Sequence, residues 1–139
     1  NTPDCATPAA APGRRRYRAC DVTEHLDMTV IGEVCLGVTL TGYQSVLRGF
    51  LDDPSGSLAS LLAALDAGDT AALPARAHAV KGGAASLGLR ALHNMATRLE
   101  APVEGPSPAE GAAHGAADAL ALRALIDMAR GLLQRMGLL

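Results

Sequence analysis

An all-α fold, an up-down antiparallel four-helix bundle with an additional short N-terminal helix, is predicted by three features of these 139 residues. Hydrophobic residues make up 49% of the chain but aromatics only 2%, so the core must be built from Leu, Ala, Val and Met, and Leu and Ala are strong helix formers. Apolar positions recur at helical spacing in segment after segment, whereas no β-branched, alternating run appears. The connections between those segments are short, which makes neighbouring helices antiparallel. The length suits one domain with a single core.

Residues 1–20 are rich in Pro and Ala, carry the cluster Arg14-Arg15-Arg16-Tyr17-Arg18 and lack periodicity. They read as a flexible linker preceding a bundle over residues 21–139, with the arginines solvated. The absence of an initiator methionine suggests a piece of a longer chain, and the start has no apolar segment of the kind a signal peptide needs. From about Asp27 to Val38, Val30, Ile31, Val34, Cys35 and Val38 define a short first helix, weakened by Gly32 and Gly37. Leu47, Leu51, Leu58, Leu62 and Leu65 keep one phase across Pro54, which predicts one long kinked helix from about Thr41 to Ala67. Gly68 ends it, and Asp69 or Thr70 caps the next.

That next helix carries Leu73, Ala77, Val80, Ala84 and Leu87 as a core stripe and stops at Gly88. Leu89, Leu92, Ala96 and Leu99 define the helix after it. Residues 101–106 form a loop, and Ser107-Pro108-Ala109-Glu110 reads as a capping box with proline at the first helical position. Leu122, Leu125, Ile126, Ala129, Leu132, Leu133 and Met136 give the last helix a broad apolar face.

His78 stands out because it falls about 140° from the centre of its helix's core stripe at 100° per residue, on the solvent side. Lys81 and Gly82 flank it one turn on. Side chains on a helix lean towards its N-terminus, so the patch beside His78 is the one residue 82 would cover. Glycine costs a helix up to about 1 kcal/mol relative to alanine, so a Gly82-Gly83 pair in mid-helix points to a requirement for bare surface. A neutral imidazole, with an ordinary pKa of about 6.5, offers a nucleophilic lone pair. Lys81 supplies a cation for the oxygens of a phosphoryl group, and bare glycine permits in-line approach.

The run His78-x-x-Lys81-Gly82-x-x-x-x-Leu87-Gly88, continued by Leu89-Arg90-Ala91-Leu92, resembles the histidine-containing phosphotransfer (HPt) domains of bacterial multistep phosphorelays. The Leu61–Asp69 approach is also similar, and the resemblance extends from about residue 25 to the C-terminus. It implies a four-helix bundle whose exposed histidine is phosphorylated on Nε2 and relays the group between receiver-domain aspartates. On that resemblance His78 is the phosphoacceptor, Lys81 the cationic neighbour and Gly82 the clearance position. Glu100 falls where some members place a glutamine near the imidazole, a departure from that pattern.

The implied partners are the receiver domains of a response regulator and of a hybrid sensor kinase, with this chain as the kinase's C-terminal domain. The expectation includes no cofactor here, any Mg2+ belonging to the receiver, and a monomer in the cytoplasm without membrane contact of its own, the parent protein being anchored in the inner membrane in one version. The alternatives are the phosphoacceptor domain of a chemotaxis-type kinase and a helical module that docks a receiver without carrying phosphate.

Other chemistries fit less well. A net charge of −2 and so few aromatics leave neither a basic surface nor a stacking platform for nucleic acid. No run approaches the roughly 20 apolar residues that span a bilayer. In Gly82–Gly88 the lysine precedes the glycines and the segment continues a helix, the reverse of a nucleotide-binding loop. Nothing resembles an ATP-binding kinase domain. Glu110, His114 and Asp118 share a helix face, but a bundle metal site needs further carboxylates from facing helices. Cys5, Cys20 and Cys35 fit neither a zinc site nor a disulfide framework, which suits a reducing compartment. His25 and His93 lack the Lys-Gly context and read as ordinary surface or boundary residues.

Overall fold

The computed structural model describes residues 17–101 and 108–139. Six helices follow in order: α1 (Ala19–His25), α2 (Met28–Asp52), α3 (Ser57–Ala67), α4 (Leu73–Leu87), α5 (Arg90–Glu100) and α6 (Pro108–Arg135). No strand occurs among the described residues. Helices α3, α4, α5 and α6 pack in a closed ring, each against its two neighbours. Helix α2 lies against α4, and α1 closes over α5 and α6. The interior is aliphatic. Leu47, Leu61, Leu65, Leu89, Leu92, Leu122, Leu132 and Leu133 are fully enclosed, as the composition requires.

The all-α class holds, with three local corrections. Residues 41–67 do not form one kinked helix. Helix α2 stops at Asp52, and residues 53–56 make a turn in which the Asp53 carboxylate accepts from Ser55 N at 2.9 Å and from Ser55 Oγ at 2.8 Å. Pro54 explains the stop: it offers no N–H, and it forces the residue before it out of the helical region, with Asp53 at φ −67°, ψ 114°. The leucines keep phase because both helices face the same core.

The kink lies instead at Thr39, with φ 68° and ψ 165°, between the stretch expected as a first helix and its successor. Its hydroxyl accepts from Gly42 N at 3.2 Å, so it caps the second half of α2 as an N-terminus would be capped. The N-terminal boundary also moves. Ala19 and Cys20 already belong to α1, and Tyr17 packs on α6, its ring occupying the space a side chain at Gly131 would need and lying under the Arg135 guanidinium at 5.6 Å. Residues 1–16 of the expected linker, including Arg14–Arg16, lie outside the described residues.

Cys20 is disulfide-bonded, which corrects the expectation that the cysteines form no disulfide, while Cys35 is a free, half-buried thiol. Met136, expected on the core face, is 39% exposed because α6 ends at Arg135 and the chain turns at Gly137. Helix α6 does begin at Pro108, whereas Ser107 and the Glu110 side chain fall outside the described residues.

Candidate functional site

Helix α4 is set by its ends and by one buried stripe. Its N-cap is Ala72, without a side-chain cap, and Pro74 follows in the first turn; neither Asp69 nor Thr70 takes the capping position. Asp69 acts one turn earlier, its carboxylate accepting from Ala72 N at 3.3 Å. Gly88 closes the helix in the left-handed region at φ 74°, where a side chain would collide with Ile31 and the Asp27 carbonyl. The stripe Leu73, Ala77, Val80, Ala84 and Leu87 is buried throughout, as its spacing predicts. Tyr43, wholly enclosed on α2, donates its hydroxyl to Leu87 O at 2.8 Å and fixes the end of α4. Burial pushes that phenol up to about 12.

With the stripe inward, the His78 side chain faces out and is 69% exposed. Its Nδ1 lies 2.7 Å from Oε1 of Glu100, on the last turn of α5. The Lys81 ammonium pairs with the other oxygen, Oε2, of the same carboxylate. Glu100 thus bridges the two α4 side chains. The bond to Lys81 first, and that to His78 second, holds its carboxyl below the usual glutamate range. A carboxylate can only accept, so Nδ1 is the donor and the neutral ring keeps its lone pair on Nε2, at the edge away from Glu100.

The two glycines serve different purposes. A side chain at Gly82 would meet nothing within 4 Å, so the surface beside His78 is open. At Gly83 it would run into the Phe50 ring of α2, so this glycine admits close helix packing and bares no surface. The pair was expected to bare one surface; only Gly82 lies beside open space. The half-buried aromatic at position 50, four residues before Pro54, was the available signal.

The surroundings are open. A cleft of about 360 Å3 between Asp27, Ala85, Arg90 and His93 lies further along α4 and α5, and none of its lining is His78, Lys81 or Glu100. No group of three or more potential metal ligands occurs among the described residues, and Asp118 pairs with Arg98 at 3.7 Å. His25 and His93 are half-buried, as boundary residues are. By length and composition one apolar stretch, within Met28–Ala67, is long enough to cross a membrane, and 17% of its most apolar window is buried. This corrects the expectation that no segment qualifies.

The described residues thus form an all-helical bundle that presents a solvent-facing imidazole beside an ammonium on one helix. The family model described as the Hpt domain matches residues 45–132, well over half of the chain, and the chain belongs to that family. Its members carry out histidine phosphotransfer in two-component phosphorelays and interact with receiver domains. The match begins later than residue 25, so α1 and residues 28–44 of α2 are outside it. Comparison with curated proteins and with solved structures gives no match.

Proposed function

We propose that His78 is the phosphoacceptor, taking a phosphoryl group on Nε2 from a receiver-domain aspartate and passing it to the aspartate of another. The observation that carries this reading is the Nδ1 contact with Glu100 at 2.7 Å, which assigns the proton to one ring nitrogen and the lone pair to the other. Lys81 supplies positive charge to the phosphoryl oxygens, and two unit charges about 4 Å apart attract by roughly 1 to 4 kcal/mol depending on hydration. That is enough to orient the group, while the transfer chemistry rests with the receiver. Gly82 leaves the approach clear.

In this reading the domain uses no cofactor of its own, and Mg2+ belongs to the receiver. The wider setting is a cytoplasmic, monomeric domain at the C-terminus of a hybrid sensor kinase. Phosphorylation by a panel of phosphorylated receivers, with acid-labile label mapped by mass spectrometry, tests it. His78→Gln should abolish labelling. Wild-type uptake by that variant would overturn the assignment, and binding of receivers without any labelling would make the domain a docking module.

A further inference from the structure

The outside of the bend in α2 is apolar and bare. All six residues from Leu36 to Thr41 face solvent, with Leu36 90%, Val38 49% and Leu40 46% exposed. No charged residue occurs between Glu33 and Arg48. Single exposed aliphatics need no explanation, but a cluster at one bend marks a contact surface. The core does not require these side chains, because Ile31, Tyr43, Leu47 and Leu51 make the buried face of α2 on either side. Six exposed residues spanning the break at Thr39 form a convex corner, and a side chain added at Gly37 would meet nothing within 4 Å. Such a corner fits poorly on the flat or grooved face of a folded protein and well into a deformable lipid surface.

Positive charge stands beside it. Gln44 Nε2 donates to Gly137 O at 3.2 Å, which sets the end of α6 against α2 just past the bend. Arg135 and Met136 on that end are exposed, and the Arg135 guanidinium lies over the Tyr17 ring at 5.6 Å. The chain outside the described residues joins at Tyr17, and its last three residues are Arg14, Arg15 and Arg16. We propose that the bend docks on an anionic lipid bilayer, Leu36, Val38 and Leu40 entering the headgroup boundary while the neighbouring arginines supply charge for the lipid. Surface binding of this kind combines buried apolar area with attraction to anionic headgroups. It departs from the expectation of a domain without membrane contact. The contact is shallow, because the backbone groups freed at a broken helix must stay near water and Tyr43 and Leu47 hold the rest of α2 in the core. Glu33, exposed three positions before Leu36, is the opposing charge on this stretch. Tyr43 binds Leu87 O, and His78 lies nine residues down α4 from there, about 14 Å at 1.5 Å per residue, so the imidazole stays outside the lipid contact.

The full 139-residue chain is sedimented with vesicles of phosphatidylcholine alone and of phosphatidylcholine mixed with phosphatidylglycerol. Partition into the mixed vesicles should exceed that into the neutral ones by about tenfold or more, since each arginine near an anionic surface is worth about fivefold. Leu36→Gln should lower partition into the mixed vesicles by about tenfold, roughly what burying one leucine contributes. Its melting temperature should match the wild type, because glutamine is a comparable helix former and Leu36 is already in solvent. Arg135→Gln should lower partition by about fivefold at low salt and by less as salt rises, whereas Glu33→Gln should raise it. Equal partition into the two vesicle types, no partition into either, or full partition by Leu36→Gln would overturn the inference. Self-association of the wild type without vesicles that Leu36→Gln abolishes would assign the bend to a second copy of the chain, and would overturn it too. Phosphoryl uptake in solution should be the same for wild type and Leu36→Gln, which keeps this outcome separate from the role of His78.

Discussion

At the scale of single residues, the site is three side chains and one absence. Gly82 is the absence, and its open surroundings make a clean test. Gly82→Leu should leave the fold as stable or more stable, by up to about 1 kcal/mol because leucine is the better helix former, while phosphoryl uptake from a receiver falls sharply. Thermal melts beside uptake rates check this, and normal uptake by a stable variant would remove the clearance role. Gly83→Ala should do the reverse. Its Cβ meets the Phe50 ring, so stability should fall by about 1 to 3 kcal/mol, the usual range for overpacking, with the imidazole still chemically competent.

Charge at the site gives two further outcomes. Lys81→Gln should slow uptake and Lys81→Arg should restore part of it, because arginine keeps the charge but not the compact ammonium. Equal rates for all three at low salt would leave the residue without a role in transfer. The Glu100 carboxyl is depressed by Lys81 first and His78 second, so its pairing is fully present above the ordinary glutamate value of 4.5 and is lost only as pH falls through the lower folded one. The Nδ1 hydrogen bond should therefore persist across neutral pH in 15N NMR and disappear only below about pH 4.5; its loss near neutrality would contradict the bridge.

At the scale of helices, the unusual feature is the break in α2. Thr39 is the one non-glycine with positive φ among the described residues, and its φ 68°, ψ 165° lies in a region that glycine alone enters freely. Such a conformation costs a non-glycine residue about 1 to 3 kcal/mol, part of which its cap on Gly42 N offsets. Thr39→Gly should then raise stability by about 1 kcal/mol, the strain relieved less the cap lost. Urea denaturation checks this, and a destabilised variant would show that the cap outweighs the strain. The chain bends here because Ile31 must reach Gly88 at the end of α4 while Tyr43 and Leu47 enter the core beside it.

At the scale of the whole molecule, the bundle serves to hold α4 and α5 at one separation, since Glu100 reaches His78 and Lys81 only if those helices keep their register. Surface pairs between distant segments accompany the core, Asp66 with Arg123 at 2.7 Å and Asp52 with Arg130 at 2.6 Å. The tie with most leverage is the enclosed Tyr43 hydroxyl on Leu87 O, because it fixes α2 to the end of the histidine helix. Tyr43→Phe should cost about 1 to 3 kcal/mol, the penalty for leaving a buried carbonyl without its donor. Chemical denaturation reads the loss.

Helix identity and the outward angle of His78 were legible in the sequence alone, because the 3.6-residue period maps core positions directly onto one face, and every predicted stripe residue of α4 is buried. The open patch at Gly82 followed from the same geometry. What that period cannot register is where a helix in phase is interrupted, so the turn at Pro54 passed for a kink and the break at Thr39 passed for an ordinary boundary. Nor does it say which helices approach each other. The contact of Gly83 with Phe50, thirty-three positions apart in number, and the sharing of Glu100 between His78 and Lys81 exist only once α2, α4 and α5 are packed. Local periodicity is written into neighbouring residues; a hydrogen bond between side chains 22 positions apart is decided by the distance between two helix axes, which the whole core sets.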